Sequence, residues 1–192
     1  MSDYSQPEFY HFNEDSLHLV NYVVENETFA SHILDLGAGC GVIGIEIAKK
    51  LVPKSLTLIE IQEEFLASLH LNTSLFLNPS IEKFILQTSF SQWKNTSAYD
   101  LIVCNPPYFL SGHGIESPDR RKQICRTFVI DSLEILLSKT WTSLSLGGRA
   151  YFVLRNDQRL IQLIKNSTLS EKIALEERRG LLFLKLLRLN VN

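Results

Sequence analysis

The sequence lacks an apolar run of the length that crosses a bilayer, which takes about 20 residues as a helix. It opens Met1-Ser2-Asp3-Tyr4, without the basic stretch and apolar stretch of a secretory signal. Cysteine is scarce: Cys40, Cys104 and Cys125 stand far apart and without metal-ligand spacing. An odd, sparse count suits a reducing compartment, so a cytoplasmic location and no metal are expected. No excess of one charge is present either. Nineteen basic and 21 acidic residues leave a net charge of −2, which gives no global pull toward nucleic acid. Internal repeats, low-complexity tracts and linkers are also missing. What remains is 192 residues, 45% apolar and 21% charged, the profile of one ordinary globular domain.

The first segment is aromatic, with Tyr4, Phe9, Tyr10, His11 and Phe12. It reads equally as a lid over a ligand or a packed arm. Asn13-Glu14-Asp15-Ser16 is a helix start, followed by apolar Leu17, Val20, Val23 and Val24. Residues 1–30 are therefore expected to form an arm and helix, and 31–192 the main domain. Ile33-Leu34-Asp35-Leu36 is a short strand, Gly37-Ala38-Gly39-Cys40-Gly41 a tight turn, and Val42 to Ala48 a helix. Strand, glycine-rich turn and helix open a nucleotide-binding α/β unit. The run Gly39-x-Gly41-x-x-Gly44 reads as an accidental partial match to the dinucleotide motif. Asp35 would repel a pyrophosphate, and suits a ligand with a positive end.

Leu56 to Glu60 is the second strand, ending in an acid 19 residues after Gly41. A carboxylate there can accept both hydroxyls of a ribose. A helix over Glu63 to Leu77 follows, then a third strand over Ile81 to Gln87 and a fourth over Asp100 to Cys104. Phe109 to Pro118 reads as a loop near the substrate, with Gly112, His113 and Gly114. Arg126 to Lys139 reads as a helix. A Gly147-Gly148 turn leads into a fifth strand, Ala150 to Leu154. Asp157 to Asn166 is a helix, and residues 173–191 an antiparallel pair around Gly180.

The fourth strand delivers Asn105-Pro106-Pro107-Tyr108. The Asn105 side-chain oxygen and the Pro106 carbonyl are acceptors, and two prolines stiffen the turn and remove competing N–H donors. Two acceptors on one flat NH2 group strip it of water and pull its lone pair out of conjugation, while Tyr108 offers a ring for stacking. The same residues also suit a rigid turn that merely closes a strand. Just downstream, Arg120, Arg121, Lys122 and Arg126 place four bases within seven positions. They form either a phosphate-binding patch or a solvated helix face.

Taken together, Asp-x-Gly-x-Gly-x-Gly from Asp35, Glu60 after strand two and Asn-Pro-Pro-Tyr after strand four resemble the class I S-adenosylmethionine-dependent methyltransferases. Within them the chain is most similar to the tRNA adenine-N6-methyltransferases acting beside the anticodon, including Asp15, Gly112 and Arg126. The resemblance implies an α/β fold, Rossmann-like, with a seven-stranded, mostly parallel sheet whose last strand is antiparallel and helices on both faces. It implies methyl transfer from S-adenosylmethionine to an exocyclic amino nitrogen, leaving S-adenosylhomocysteine. Asp35, Gly37, Ala38, Gly39, Gly41, Glu60, Ile61, Ser89 and Asn105 would hold the cofactor. Asn105, Pro106, Pro107 and Tyr108 would be catalytic. Tyr108, Phe109, Arg120, Arg121, Lys122 and Arg126 would meet a tRNA.

Release-factor glutamine methyltransferases share Asn-Pro-Pro-Tyr, but carry an N-terminal helical domain for which the roughly 30 residues before strand one leave no room. A non-catalytic S-adenosylmethionine-binding subunit is the other alternative. One position departs from the pattern. The family usually places an Asp after strand three, against the cofactor's adenine amino group. Here that position is Ser89, with Gln87 or Gln92 as candidate substitutes.

Overall fold

The computed structural model describes residues 3–94, 98–110 and 117–189. Helix α1 (Glu14–Asn26) precedes strand β1 (His32–Leu36), α2 (Val42–Leu51), β2 (Ser55–Glu60), α3 (Glu63–Phe76), β3 (Glu82–Gln87) and β4 (Tyr99–Cys104). Then come β5 (Phe109–Leu110), α4 (Arg120–Arg126), β6 (Thr127–Phe128), α5 (Leu133–Ser143), β7 (Leu144–Arg155), α6 (Gln158–Asn166), β8 (Ile173–Arg178) and β9 (Leu181–Leu187). Seven strands form one sheet in the order β3-β2-β1-β4-β7-β9-β8. The first five are parallel, and β9 runs antiparallel to both β7 and β8.

The central strands are apolar on both faces, as parallel strands must be when helices cover each side. In β1, Ile33 faces a core shared with Leu19 and Val23 of α1 and Ile45 of α2. Its neighbours Leu34 and Leu36 face the opposite core, with Leu136 and Leu137 of α5 and Leu160 of α6. The alternation repeats in β4, where Leu101 and Val103 lie on one side and Ile102 and Cys104 on the other. Each fully buried Leu or Ile contributes about 1.5–3 kcal/mol. The order turns at β1: the chain builds outward through β2 and β3, then returns to β4 on the other flank. Ligands in open parallel sheets bind at such a reversal, beyond the carboxyl ends of the strands.

Three local expectations are corrected. The helix over Arg126 to Lys139 is instead α4, the short strand β6 and α5. Asp119 caps α4 by accepting from Arg121 N, and Ser132 caps α5 by accepting from Ile135 N. Between them, Thr127 and Phe128 are buried and pair with Phe109 and Leu110. Branched and aromatic side chains suit that extended backbone. The Phe109–Pro118 loop therefore begins as a strand, while Gly112, His113 and Gly114 lie outside the described residues. Gly147 and Gly148 sit inside β7 rather than before it. They absorb a register shift in which Tyr99 pairs with Leu144 but Leu101 with Arg149, and a Cβ on Gly148 would lie 2.9 Å from two backbone oxygens.

Candidate functional site

The glycine turn leaves β1 with Gly37, Gly39 and Gly41 at φ +73, +55 and +87, a region that favours glycine. Gly37 N and Ala38 N both donate to the Ile59 carbonyl, so the turn is tied to the end of β2. A Cβ on Gly41 would come within 2.6 Å of Leu69 Cδ1. Glu60 completes the cradle. It is 5% exposed, and its two oxygens accept from Gly39 N and Gln62 N at 2.8 Å each. Burial raises the Glu60 carboxyl above its ordinary value, against the pull of these backbone N–H groups. A carboxylate has about four acceptor sites in all, and Glu60 stands on the wall of a crevice of about 1020 Å³, open mouth included.

Asp35 is placed differently from its expected role. It is fully buried, is absent from the crevice wall, and accepts from Gly44 N at 2.8 Å through Oδ2. Its Oδ1 has no partner among the described residues. Burial pushes its carboxyl up to about 7, opposed by the Gly44 N–H. Gly44 is no accident of spacing: a Cβ there would lie 2.9 Å from Asp35 Oδ2. Asp35 thus sits behind the turn and ties it to the first turn of α2. Gly41 also lies behind the wall, whereas Gly37, Ala38, Gly39, Glu60, Ile61, Ser89 and Asn105 line it.

The proline turn begins where β4 ends. Asn105 Nδ2 donates to Ser16 Oγ at 3.1 Å, and its Oδ1 is buried without a partner among the described residues. Tyr108 donates its hydroxyl proton to Asp15 Oδ2 at 2.7 Å. Burial, then that carboxylate, raise the phenol's pKa. The first turn of α1 therefore grips the turn at both ends. A second cavity opens on Tyr108, Phe109, Lys122, Arg126 and Arg155, and shares Tyr10, Asn13, Asn105, Pro106 and Cys125 with the first. The two cavities meet along these five shared residues, Asn105 and Pro106 among them.

The basic cluster divides. Lys122 and Arg126, one turn apart on α4, line the second cavity, and Arg126 lies over the Phe109 ring at 5.8 Å. Arg121 is paired with Asp119 at 2.8 Å and lies over Phe9 at 4.7 Å, while Arg120 is exposed. The aromatic segment is at once arm and wall. Tyr4 packs on Phe76 with ring centres 4.6 Å apart and planes tilted by 35°, and Asn72 bonds both Ser5 and the Cys40 carbonyl. Tyr10 and Asn13 face both cavities.

Two site residues escaped the sequence reading. Arg155, its guanidinium 5.3 Å from the Tyr108 ring centre, ends β7. The carboxyl-end rule that located Glu60 and Asn105 points to it as well. Asp131 lines the first cavity with no local signal. Gln87 and Gln92 are exposed and absent from the wall, so neither substitutes for the acid missing at Ser89.

A glycine cradle, a buried acid at the end of β2 and a seven-stranded sheet with β9 reversed define a Rossmann-like methyltransferase domain. The family model for the methyltransferase small domain matches residues 11–179, and the chain belongs to that family. It is 34% identical over 67% of its length to a tRNA1(Val) (adenine(37)-N6)-methyltransferase of Glaesserella parasuis, covering 53% of that protein. To the protein of the same name from Pedobacter heparinus it is 30% identical over 80% of its length, covering 64%. The chain thus spans between half and two thirds of these relatives. A T. thermophilus 16S rRNA N2 methyltransferase, solved with AdoMet and guanosine, superposes with a TM-score of 0.68 at 16% identity, over 93% of this chain and 44% of that one. Among the described residues no helix is long and apolar enough to cross a membrane.

Proposed function

We propose that the protein is an S-adenosylmethionine-dependent methyltransferase acting on an exocyclic amino nitrogen, the N6 of an adenine in tRNA. The carrying observation is Asn105, which lines both cavities and whose Oδ1 is buried without a partner among the described residues. A buried acceptor without a partner costs about 1–3 kcal/mol, and an incoming N–H donor removes that cost. The names of the relatives supply adenine N6 and tRNA as the substrate to test.

The first cavity suits the cofactor. Glu60 offers a carboxylate on the cavity wall to ribose hydroxyls, and the glycine turn brings backbone close to the ligand. S-adenosylmethionine, when bound, would supply the methyl group: its S–CH3 bond would break as the N–C bond forms, leaving S-adenosylhomocysteine, and the nitrogen would lose one proton to water. Asn105 Oδ1 and the Pro106 carbonyl accept from the two N–H bonds of the target amino group and turn its lone pair toward the first cavity. That orientation is the protein's main contribution to rate. Tyr108, fixed by Asp15 and covered by Arg155, stacks on the base. The adenine has to be unstacked to enter, and Lys122, Arg126 and Arg155 stand where flanking phosphates would pass. The reading carries a cytoplasmic setting with it, and a division into an arm and helix (1–30) and a catalytic domain (31–192).

Labelled S-adenosylmethionine with unmodified tRNA, and separately with release factors, tests this reading. Label should enter tRNA and appear as N6-methyladenosine after nucleoside mass spectrometry. Label in a protein glutamine, or in neither substrate, would discard it.

A further inference from the structure

An acid from a distant part of the chain stands beside Ser89. Ser89 is 5% exposed, and its hydroxyl is engaged by Ser91 Oγ at 3.1 Å and Gln92 N at 3.2 Å. Asp131, between β6 and α5, reaches the same loop. Its Oδ2 accepts from Phe90 N at 2.9 Å and its Oδ1 from Ser91 N at 3.2 Å. Both oxygens are anchored by backbone, and each retains acceptor capacity. Asp131 lines the first cavity with Ile61, Phe90 and Ile130, apolar walls of the kind that flank a planar base. Glu60, one residue before Ile61, marks the ribose end of that wall.

We propose that Asp131 accepts a hydrogen bond from the exocyclic amino group of the cofactor's adenine, in place of a side chain at Ser89, and makes the cavity select adenine over a base carrying a carbonyl there. The assignment rests on the cofactor reading given above. A carboxylate rewards an amino group and repels a carbonyl oxygen, so the discrimination comes from both signs of the same contact. Asp131 reaches the site because the chain returns through β6 before starting α5, which sets Asp131 beside the loop after β3.

The test is calorimetric binding of S-adenosylhomocysteine and its deaminated analogue S-inosylhomocysteine to the full chain. Wild type should prefer the adenine compound by about tenfold or more, the worth of a hydrogen bond to a charged group. Asp131→Ala should erase most of that ratio. Asp131→Asn keeps the shape and one acceptor for the loop, turns an NH2 group toward the base, and should erase or invert it. It also serves as the variant measured if Asp131→Ala fails to fold. A ratio unchanged from wild type, even with both ligands weakened equally, would make Asp131 a strut for Phe90 and Ser91 alone and overturn the assignment. A wild type that binds both compounds equally overturns it too. Failure of S-adenosylhomocysteine to bind the wild type removes the cofactor reading, and this assignment falls with it.

Discussion

Asn105 offers its surroundings two different ends. The donor end is satisfied by Ser16, while the acceptor end has no partner among the described residues. Asn105→Ala should therefore lower the methyl-transfer rate by about 10²–10³-fold, the cost of one preorganised polar contact at a reacting centre, with a much smaller loss of cofactor affinity because Glu60 and the glycine turn remain. Single-turnover transfer beside calorimetry separates the two, and wild-type rates would make the turn structural. Tyr108 carries a consequence that its ring alone does not. If only the ring mattered, Tyr108→Phe would be nearly silent. With the hydroxyl bonded to Asp15, the substitution should instead loosen the ring and cost about 1 kcal/mol of substrate binding, read as a raised KM for tRNA. Asp35 makes a pH prediction. Its carboxyl rises from an ordinary 3.8 to about 7 on folding, so its protonated form is the one the fold favours. That stability is complete below the unfolded value and lost as pH rises through the folded one. Each unit of that rise corresponds to about 1.4 kcal/mol, so the loss is on the order of a few kcal/mol. Denaturant unfolding should show wild type weakening relative to Asp35→Asn between pH of about 4 and 8; parallel curves would reject the ionisation.

At the scale of the element, α4 shows why a charge cluster in sequence is not a patch in space. Residues four apart on a helix share a face, which groups Lys122 with Arg126 beside the second cavity. Arg121 turns back to its cap Asp119. Neutralising Lys122 and Arg126 together should reduce the slope of log affinity for RNA against log salt by about 1.5–2, near the value for two lost phosphate contacts. The pair Arg120 and Arg121, treated alike, should change it less. Equal slopes for both pairs would mean that the division on α4 does not govern RNA binding. Helix α1 acts at the same scale, since Asp15 and Ser16 in its first turn fix Tyr108 and Asn105 from 93 and 89 residues away.

For the molecule as a whole, the crevice is built from the ends of β1, β2 and β4, the loop after β3 and the N-terminal arm. A ligand that bridges those parts binds only the folded state. S-adenosylhomocysteine at 100 times its Kd should add about 2.7 kcal/mol. For a domain of this size that raises Tm by about 5–11 °C. Glu60→Ala should abolish most of the rise at the same ligand concentration, and an equal shift in the variant would remove Glu60 from the site.

Local pattern alone determined much of this protein. The apolar runs of β1 and β4, the glycine turn after Leu36, Glu60 at the end of β2 and the proline turn after Cys104 were all legible, because each depends on neighbours within a few residues. So was the antiparallel pair around Gly180. The break between α4 and α5 was not, since Thr127 and Phe128 become a strand only by pairing with Phe109 and Leu110. Nor was the true place of Asp35, which burial and Gly44 turn away from the crevice. Only the tertiary structure decided which of four clustered bases face the second cavity, and that Arg155 covers Tyr108. It alone brought Asp131 to the loop after β3, a contact spanning 41 residues. Hydrogen bonds and close packing act through space, and a partner dozens of residues away leaves no periodic trace in the chain.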